Sequence, residues 1–389
     1  MATAAAVWSK TPPRQDMLSR AELDAITRPL GEASMLPAKC YSDQEFYAFE
    51  VEKVFMRNWL PVGRVDQLAN PADYFTTTRF GEPILVVRDK ERQLHAFSNV
   101  CRHRNFPVAH GAGNCRVGRF VCPYHGWAYG LDGRLRSAAF MDRTESFEAK
   151  NWRLPRLGVD VWQGFVFVNF DADAPLLSPQ LRTLDALVAP LNLGAMKTAL
   201  LRSVPWPGNW KSTLENFTEA YHQPCIHPKT FEPWAPAKLA IYEDVDGPYN
   251  IFWLPSPQGE PVKVIFPEIP ALPHRFRTAF LIVNVFPYFH FLIDPSCAIS
   301  LDMEIGGAAD LRCSWSVHVP PETYSAPDFD EKRQELLRIL MPTYSEDESA
   351  CQRIIAGQRS RFAQQGKYSW MEKSVHQFHS WLAGQYARP

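Results

Sequence analysis

Cys101-Arg102-His103-Arg104 and Cys122-Pro123-Tyr124-His125-Gly126-Trp127 decide how the first half of this chain is read. The first stretch offers a thiol and an imidazole as C-x-H. After 18 intervening residues the second offers the same pair as C-x2-H. Two matched halves suit a two-iron, two-sulfur cluster with two thiolates on one iron and two imidazoles on the other. Zinc uses the same residue types, but as a Cys pair followed by a His pair, which these spacings do not provide. Gly111 and Gly113 follow the first half, and Gly126 and Asp132-Gly133 the second; they allow the tight turns that two facing loops need. Working outward, short strand-like segments at 58–63, 74–80, 84–87, 93–98 and 158–169, separated by turn residues, predict a small all-β domain. Asp171 to Pro175 supplies a boundary.

A second constellation lies downstream, in Asn209-Trp210-Lys211-Ser212-Thr213-Leu214-Glu215-Asn216-Phe217-Thr218-Glu219-Ala220-Tyr221-His222, followed by Pro224 and His227. The spacing predicts a helix over 209–222, with Glu215, Glu219 and His222 on one face. Pro224 is expected to end it, and His227 to return from the next loop. Two His and one distant carboxylate form the facial triad of non-haem Fe(II) oxygenases, which leaves iron positions open. The acid is sought at Ser345-Glu346-Asp347-Glu348. There Ser345 and Glu348 read as a capping box opening the next-to-last helix, and all three acids suit a first turn.

The rest of the chain predicts strands at 249–254, 262–266, 279–285, 288–294, 299–305 and 311–319, then helices at 328–341, 346–362 and 370–384. Strands followed by helices favour an α+β domain. Residues 1–40 read as a short helix plus an arm, and Ser42-Asp43-Gln44-Glu45 as a capping box opening a helix to about residue 56. The expected domains are 1–56, an arm and helix packed on the catalytic domain; 57–172, the cluster domain; and 173–389, the catalytic domain.

At 389 residues, 46% of them hydrophobic, two domains with sizeable cores are expected. A net charge of −1 gives no reason to expect a nucleic-acid or anionic-membrane partner. Thirty-three prolines against 20 glycines indicate rigid loops. No segment approaches the roughly 18 apolar residues of a membrane span, and the N-terminus lacks the pattern of a secretory signal. The other cysteines (Cys40, Cys115, Cys225, Cys297, Cys313, Cys351) show no pairing rhythm and are expected to be reduced, as in the cytoplasm. No Gly-rich phosphate loop is present, so no nucleotide site of its own is expected.

The text from Cys101 to Arg104 and from Cys122 through Trp127 to Leu135, joined to N-W-K, E-N, an acid, Y-H and H-P downstream, resembles the catalytic α subunits of the Rieske non-haem iron oxygenases. The resemblance implies an all-β Rieske domain inserted in or preceding a helix-grip-like α+β domain with an antiparallel sheet. It implies Cys101, His103, Cys122 and His125 as cluster ligands, supported by Arg104, Tyr124 and Trp127. His222 and His227 would hold Fe(II) with Asp347, the Asp of the Glu-Asp pair, ahead of Glu346. It also implies a head-to-tail homotrimer in which Glu219 links His222 to a cluster His125 of the partner subunit. Glutamate in that place is the form associated with choline, betaine and carnitine substrates. Electrons would come from NAD(P)H through a separate flavin/[2Fe–2S] reductase or a ferredoxin, for O2-dependent oxidation of a small molecule. The alternative reading is a ring-hydroxylating dioxygenase acting on an aromatic acid. A bare Rieske electron carrier is disfavoured because it would not need the two hundred residues that follow. Phe217, Tyr249, Trp253 and Phe286 are candidate substrate contacts by position, with Phe252, Tyr288 and Phe289 beside them. His110, His274, His290 and His318 are taken as structural or surface residues.

Overall fold

The structure, a computed structural model, describes residues 17–388. The first 16 residues of the expected arm lie outside the described residues. The chain divides into two compact units. One is Met56–Ser178; the other joins the described part of Met1–Phe55 to that of Pro179–Pro389.

Met56–Ser178 is built on β-strands, as the short strand-like segments required. Its strands are β1 (Leu60–Arg64), β2 (Asp73–Arg79), β3 (Glu82–Arg88), β4 (Leu94–Ser98), β5 (Ala112–Asn114), β6 (Arg119–Val121), β7 (Ala128–Gly130), β8 (Leu135–Ser137), β9 (Arg156–Trp162) and β10 (Phe165–Asn169). One sheet runs β1-β10-β9-β4-β3-β2-β5, and a smaller one β6-β7-β8. Leu85, Val87, Phe97, Phe120, Trp127, Tyr129 and Leu154 build a core that also takes in Cys101 and Cys122. Gly133 sits at φ +78, where a Cβ would come within 2.5 Å of the Phe97 ring. Both the backbone and the core therefore demand glycine there.

The other unit is built on a seven-stranded antiparallel sheet: β11 (Lys197–Trp206), β12 (Ile241–Tyr242), β13 (Tyr249–Pro255), β14 (Ala279–Val285), β15 (Phe289–Ile293), β16 (Ala298–Ile305) and β17 (Leu311–Val319). Their order is β11-β17-β16-β15-β14-β13-β12. The register places Asn250, Asn284, His290, Leu301, Trp315 and Arg202 in one row across six strands. Cross-strand partners share a face. Helix Lys373–Tyr386 packs on that face, since Asn250 Nδ2 donates to the Ser374 carbonyl.

The structure departs from the sequence expectations at several elements, each for a physical reason. β11 escapes the alternation test because it is an edge strand with a bulge between Leu200 and Arg202 and a proline at 205; only an edge tolerates that proline. Residues 262–266 form no strand. Pro261 and Pro267 bracket them, and Val262 N–H instead bonds the Arg277 carbonyl at 2.8 Å. The helix expected from Ser42 runs Gln44–Lys53 and is capped by Asp43, whose carboxylate accepts from Glu45 N–H. Ser42 belongs to the preceding turn, Lys39–Ser42. Helices 328–341 and 346–362 are one helix, Phe329–Gln358, with Pro342 inside. Ser345 is therefore no cap, and Asp347 lies in mid-helix. Glu348 pairs instead with Arg202 at 3.5 Å.

Helix Gln44–Lys53 is pinned by a buried ion pair. Lys211 Nζ lies 2.8 Å from the Glu50 carboxylate, both side chains wholly buried. Trp210 Nε1 and Tyr386 OH donate to the same carboxylate. Replacing Lys211 with Met leaves that charge unpaired and is expected to cost about 3–5 kcal/mol, read as a lower urea midpoint at unchanged slope. Adding Glu50→Leu is expected to return much of the loss; no recovery would contradict the assignment.

Candidate metal centres

The two halves of the cluster motif sit in paired loops. The first follows β4: Asn105 N–H bonds the Cys101 carbonyl, Cys101 N–H bonds the Phe106 carbonyl, and Val100 bridges Pro107. The second joins β6 to β7: Cys122 N–H bonds the Trp127 carbonyl at 2.8 Å, and Gly126, at φ +72, turns back to the Cys122 carbonyl. Cys101 and Cys122 are 1% and 2% exposed and form no disulfide. Burial raises the Cys122 thiol; the backbone N–H groups of Tyr124 and His125 oppose this by pointing at its sulfur. His103 and His125 are exposed, their ring centroids 4.5 Å apart. Two buried reduced thiols and two surface imidazoles on facing loops fit a cluster held asymmetrically, sulfur side inward.

The three expected supporters pack on these loops. Trp127 stacks on His103 at 5.0 Å and 9°, Tyr124 lies 3.9 Å from His125, and the Arg104 guanidinium is 5.5 Å from the Tyr124 ring. Sequence reading missed Tyr129. Its hydroxyl accepts from Arg102 N–H at 3.0 Å and lies 3.3 Å from Cys101 Sγ, to which it would donate once that sulfur is a thiolate on a cluster. Its signal is chemical: a tyrosine in the middle of a wholly buried strand needs a partner for its hydroxyl. A donor on a ligand sulfur raises cluster potential. Tyr129→Phe is therefore expected to lower the midpoint potential in a spectroelectrochemical titration at unchanged cluster content. An equal or higher potential would contradict that role.

The second site breaks the helix expected over 209–222. Asn209 caps helix Trp210–Asn216, which stops at Phe217. Thr218 Oγ1 turns back onto the Leu214 carbonyl, and the Glu219 carboxylate accepts from the N–H groups of Tyr221 and His222. Those two N–H groups are thereby satisfied by a side chain rather than by a helix, and the chain unwinds. Pro224 does not end a helix; it stands near the start of the next, Gln223–Ile226.

Unwinding brings the ligand atoms together. One atom each from His222, His227 and Asp347 lies within 4.8 Å of the other two. His227 Nε2 is 2.9 Å from Asp347 Oδ1, and His222 Nε2 is 3.7 Å from it. Behind the rings, His222 Nδ1 lies 2.5 Å from Glu219, and His227 Nδ1 2.7 Å from Glu346. Thr230 donates to Glu346, and Asn216 Nδ2 to Asp347. With both Nδ1–H groups given to carboxylates, two Nε2 lone pairs and one carboxylate oxygen face each other. Such a set repels itself unless a proton on Nε2 or a metal cation sits among its members. Burial opposes charge on both imidazoles, but Glu219 and Asp347 raise His222, and Asp347 and Glu346 raise His227. The donor set, with carboxylates orienting both imidazoles, fits a divalent iron. Asp347 is the acid beside the Nε2 atoms, while Glu346 orients His227 from behind.

Of the four aromatic candidates, only Phe217 stands next to this set. It follows Asn216, and its ring lies 5.4 Å from His290, 6.3 Å from Trp206 and 6.4 Å from Trp315. Tyr249 and Trp253 alternate to the opposite sheet face from Asn250 and His290. Phe286 packs on Phe378 and Trp381 of the last helix. Sequence reading also missed Asn216 and Thr230 as partners of the acids.

The Rieske [2Fe–2S] domain family matches residues 58–148, and the Ring hydroxylating alpha subunit (catalytic domain) family matches residues 194–388. The chain belongs to the ring-hydroxylating alpha-subunit family, with a Rieske domain ahead of a catalytic domain of the non-haem iron type. It is 36% identical over 199 residues to the carnitine monooxygenase oxygenase subunit of Escherichia coli K12, covering 51% of this chain and 53% of that one. It spans about half the length of this and several other curated relatives. It is 28% identical over 371 residues to the chloroplastic choline monooxygenase of Spinacia oleracea, covering 91% and 79%. A quaternary ammonium Rieske monooxygenase, solved with an inhibitor and also with γ-butyrobetaine and L-carnitine, shares the fold. With the inhibitor bound its TM-score is 0.80 at 24% identity, covering 94% of this chain and 98% of that one.

Proposed function

We propose that this protein is the oxygenase component of a Rieske-type system that hydroxylates or oxidatively N-demethylates a small quaternary ammonium compound. O2 would be the co-substrate, and a separate NAD(P)H-dependent reductase, flavin/[2Fe–2S] or ferredoxin-linked, the electron source. The observation that carries this is the convergence of His222, His227 and Asp347 in one chain with the two Cys/His loops. Iron held there would supply the O2 activation and C–H oxidation that no side chain can.

The chain's own residues do the rest. Cys101, Cys122, His103 and His125 would hold the cluster, with Arg104, Tyr124 and Trp127 around it. Glu219 and Glu346 fix the two iron-binding imidazoles in the tautomer that bares Nε2. Buried Trp206 and Trp315 beside Phe217 keep that flank apolar. The substrate class is supported by the carnitine and choline monooxygenases among the relatives and by a glutamate at 219.

In the proposed assembly, a head-to-tail homotrimer, Glu219 connects His222 to His125 of the partner subunit. The surface position of His125 suits that contact. All eight cysteines are unpaired, in keeping with a reducing cytoplasm. Among the described residues no helix is long and apolar enough to cross a membrane.

Turnover with a reductase, NADH, O2 and a substrate panel tests the activity. Formaldehyde or another aldehyde released from a methylated ammonium compound, in step with NADH consumed, is the expected result. A cis-diol from an arene would replace this reading with the ring-hydroxylating dioxygenase. Glu219→Gln is expected to keep both metals while lowering turnover about 10–100-fold; wild-type turnover would reject the bridge.

A further inference from the structure

The hydrogen-bond chain crossing the sheet has a fixed direction. The Ser374 carbonyl can only accept, so Asn250 Nδ2 donates to it at 2.8 Å. Asn250 Oδ1 then accepts from Asn284 Nδ2 at 2.6 Å, and Asn284 Oδ1 accepts from His290 Nδ1–H at 2.7 Å. His290 is thereby held in the tautomer whose Nε2 carries a lone pair. The residue is 6% exposed, and burial pulls its pKa down to about 3, so the ring is neutral. Its Nε2 has no hydrogen-bond partner among the described residues and is not one of their fully buried unpaired atoms, so it is left open to a donor from outside the chain. The ring lies against Phe217, whose neighbour Asn216 donates to Asp347. An unpaired, acceptor-only nitrogen thus belongs to a ring packed on Phe217, the residue next in sequence to the Asn216 that holds the proposed iron ligand.

We propose that His290 Nε2 accepts a hydrogen bond from a hydroxyl group of the substrate, making the site selective for hydroxylated quaternary ammonium compounds over their deoxy counterparts. The assignment rests on the quaternary ammonium reading above. A methyl, a methylene or a carboxylate has no hydrogen to give this nitrogen. A deoxy compound that displaces water from it leaves a buried acceptor unpaired, which is the kind of mismatch that discriminates strongly. Nothing in the ring's own surroundings competes, because Asn284 occupies Nδ1 and Phe217 offers only a carbon face.

Two matched pairs test this by calorimetric binding to the anaerobic, metal-loaded protein: choline against ethyltrimethylammonium, and L-carnitine against γ-butyrobetaine. In a pair that binds, the hydroxylated member is expected to bind about ten-fold tighter or more. His290→Phe is expected to bring that ratio to about two-fold or less, with iron content and cluster absorption unchanged. His290→Gln, which can still present an acceptor oxygen, is expected to keep a preference of several-fold, about the value of one hydrogen bond. Equal binding within each pair to the wild-type protein, or a ratio that survives in His290→Phe, overturns the role of His290 alone. Failure of all four compounds to bind overturns the quaternary ammonium reading and this assignment with it. If His290→Phe does not fold, the wild-type ratio and His290→Gln decide.

Discussion

Replacing His222 with alanine is expected to remove iron from the mononuclear site while leaving the cluster intact. The substitution deletes one of three converging acceptors and leaves His227 and Asp347, too few to hold the metal facially. Turnover is expected to fall by more than the roughly 10–100-fold typical of losing an outer-sphere partner. The visible absorption and rhombic EPR signal of the cluster should not change, because its ligands lie on the loops after β4 and β6. Metal analysis alongside the cluster spectrum reads both at once. Unchanged mononuclear iron in that variant would remove His222 as a ligand. The same measurement separates the two acids: Asp347→Asn is expected to behave like His222→Ala. Glu346→Gln, which only loosens His227 from behind, should stay within the roughly 10–100-fold range.

Replacing Cys122 with serine is expected to abolish the cluster. The sulfur is buried, meets the N–H groups of Tyr124 and His125, and sits where one loop closes on itself through Trp127 and Gly126. A serine hydroxyl keeps the size but not the thiolate that the iron needs. Because a bound metal group contributes its binding free energy to the fold that holds it, the Met56–Ser178 unit should also unfold at a lower temperature. Retention of the colour in Cys122→Ser would exclude that residue from the ligand set.

The all-β unit was legible because its signal is local. Short runs rich in β-branched and aromatic residues between turn residues mark β2 to β4, β9 and β10, and β10 is buried along its whole length. The cluster ligands lie in two short stretches. The proposed iron ligands were legible as residue types but not as geometry. A helix over 209–222 seemed required by the spacing of Glu215, Glu219 and His222. The decisive event is local and polar: Glu219 takes two backbone N–H groups and a ring nitrogen together, which no helical periodicity reveals. Asp347 had a signal that capping logic obscured. It lies three residues after Tyr344 and four before Cys351, on the buried stripe of one continuous helix. An acid on an apolar stripe points to a partner; acids at a helix start do not. Tyr249 and Trp253 were misplaced because position along the chain says nothing about which sheet face a residue takes until the register is known. His290 looked like a core residue, and only the direction of the Asn250–Asn284 relay gives it a free acceptor.

Iron and acid-labile sulfide, counted per chain after anaerobic reconstitution and paired with EPR of the reduced protein, test the account most directly. The expected result is two cluster irons with two sulfides, one further ferrous iron lost in His222→Ala, and a rhombic signal from the cluster alone. A colourless protein that takes up zinc, or one whose iron never exceeds its sulfide, would contradict it.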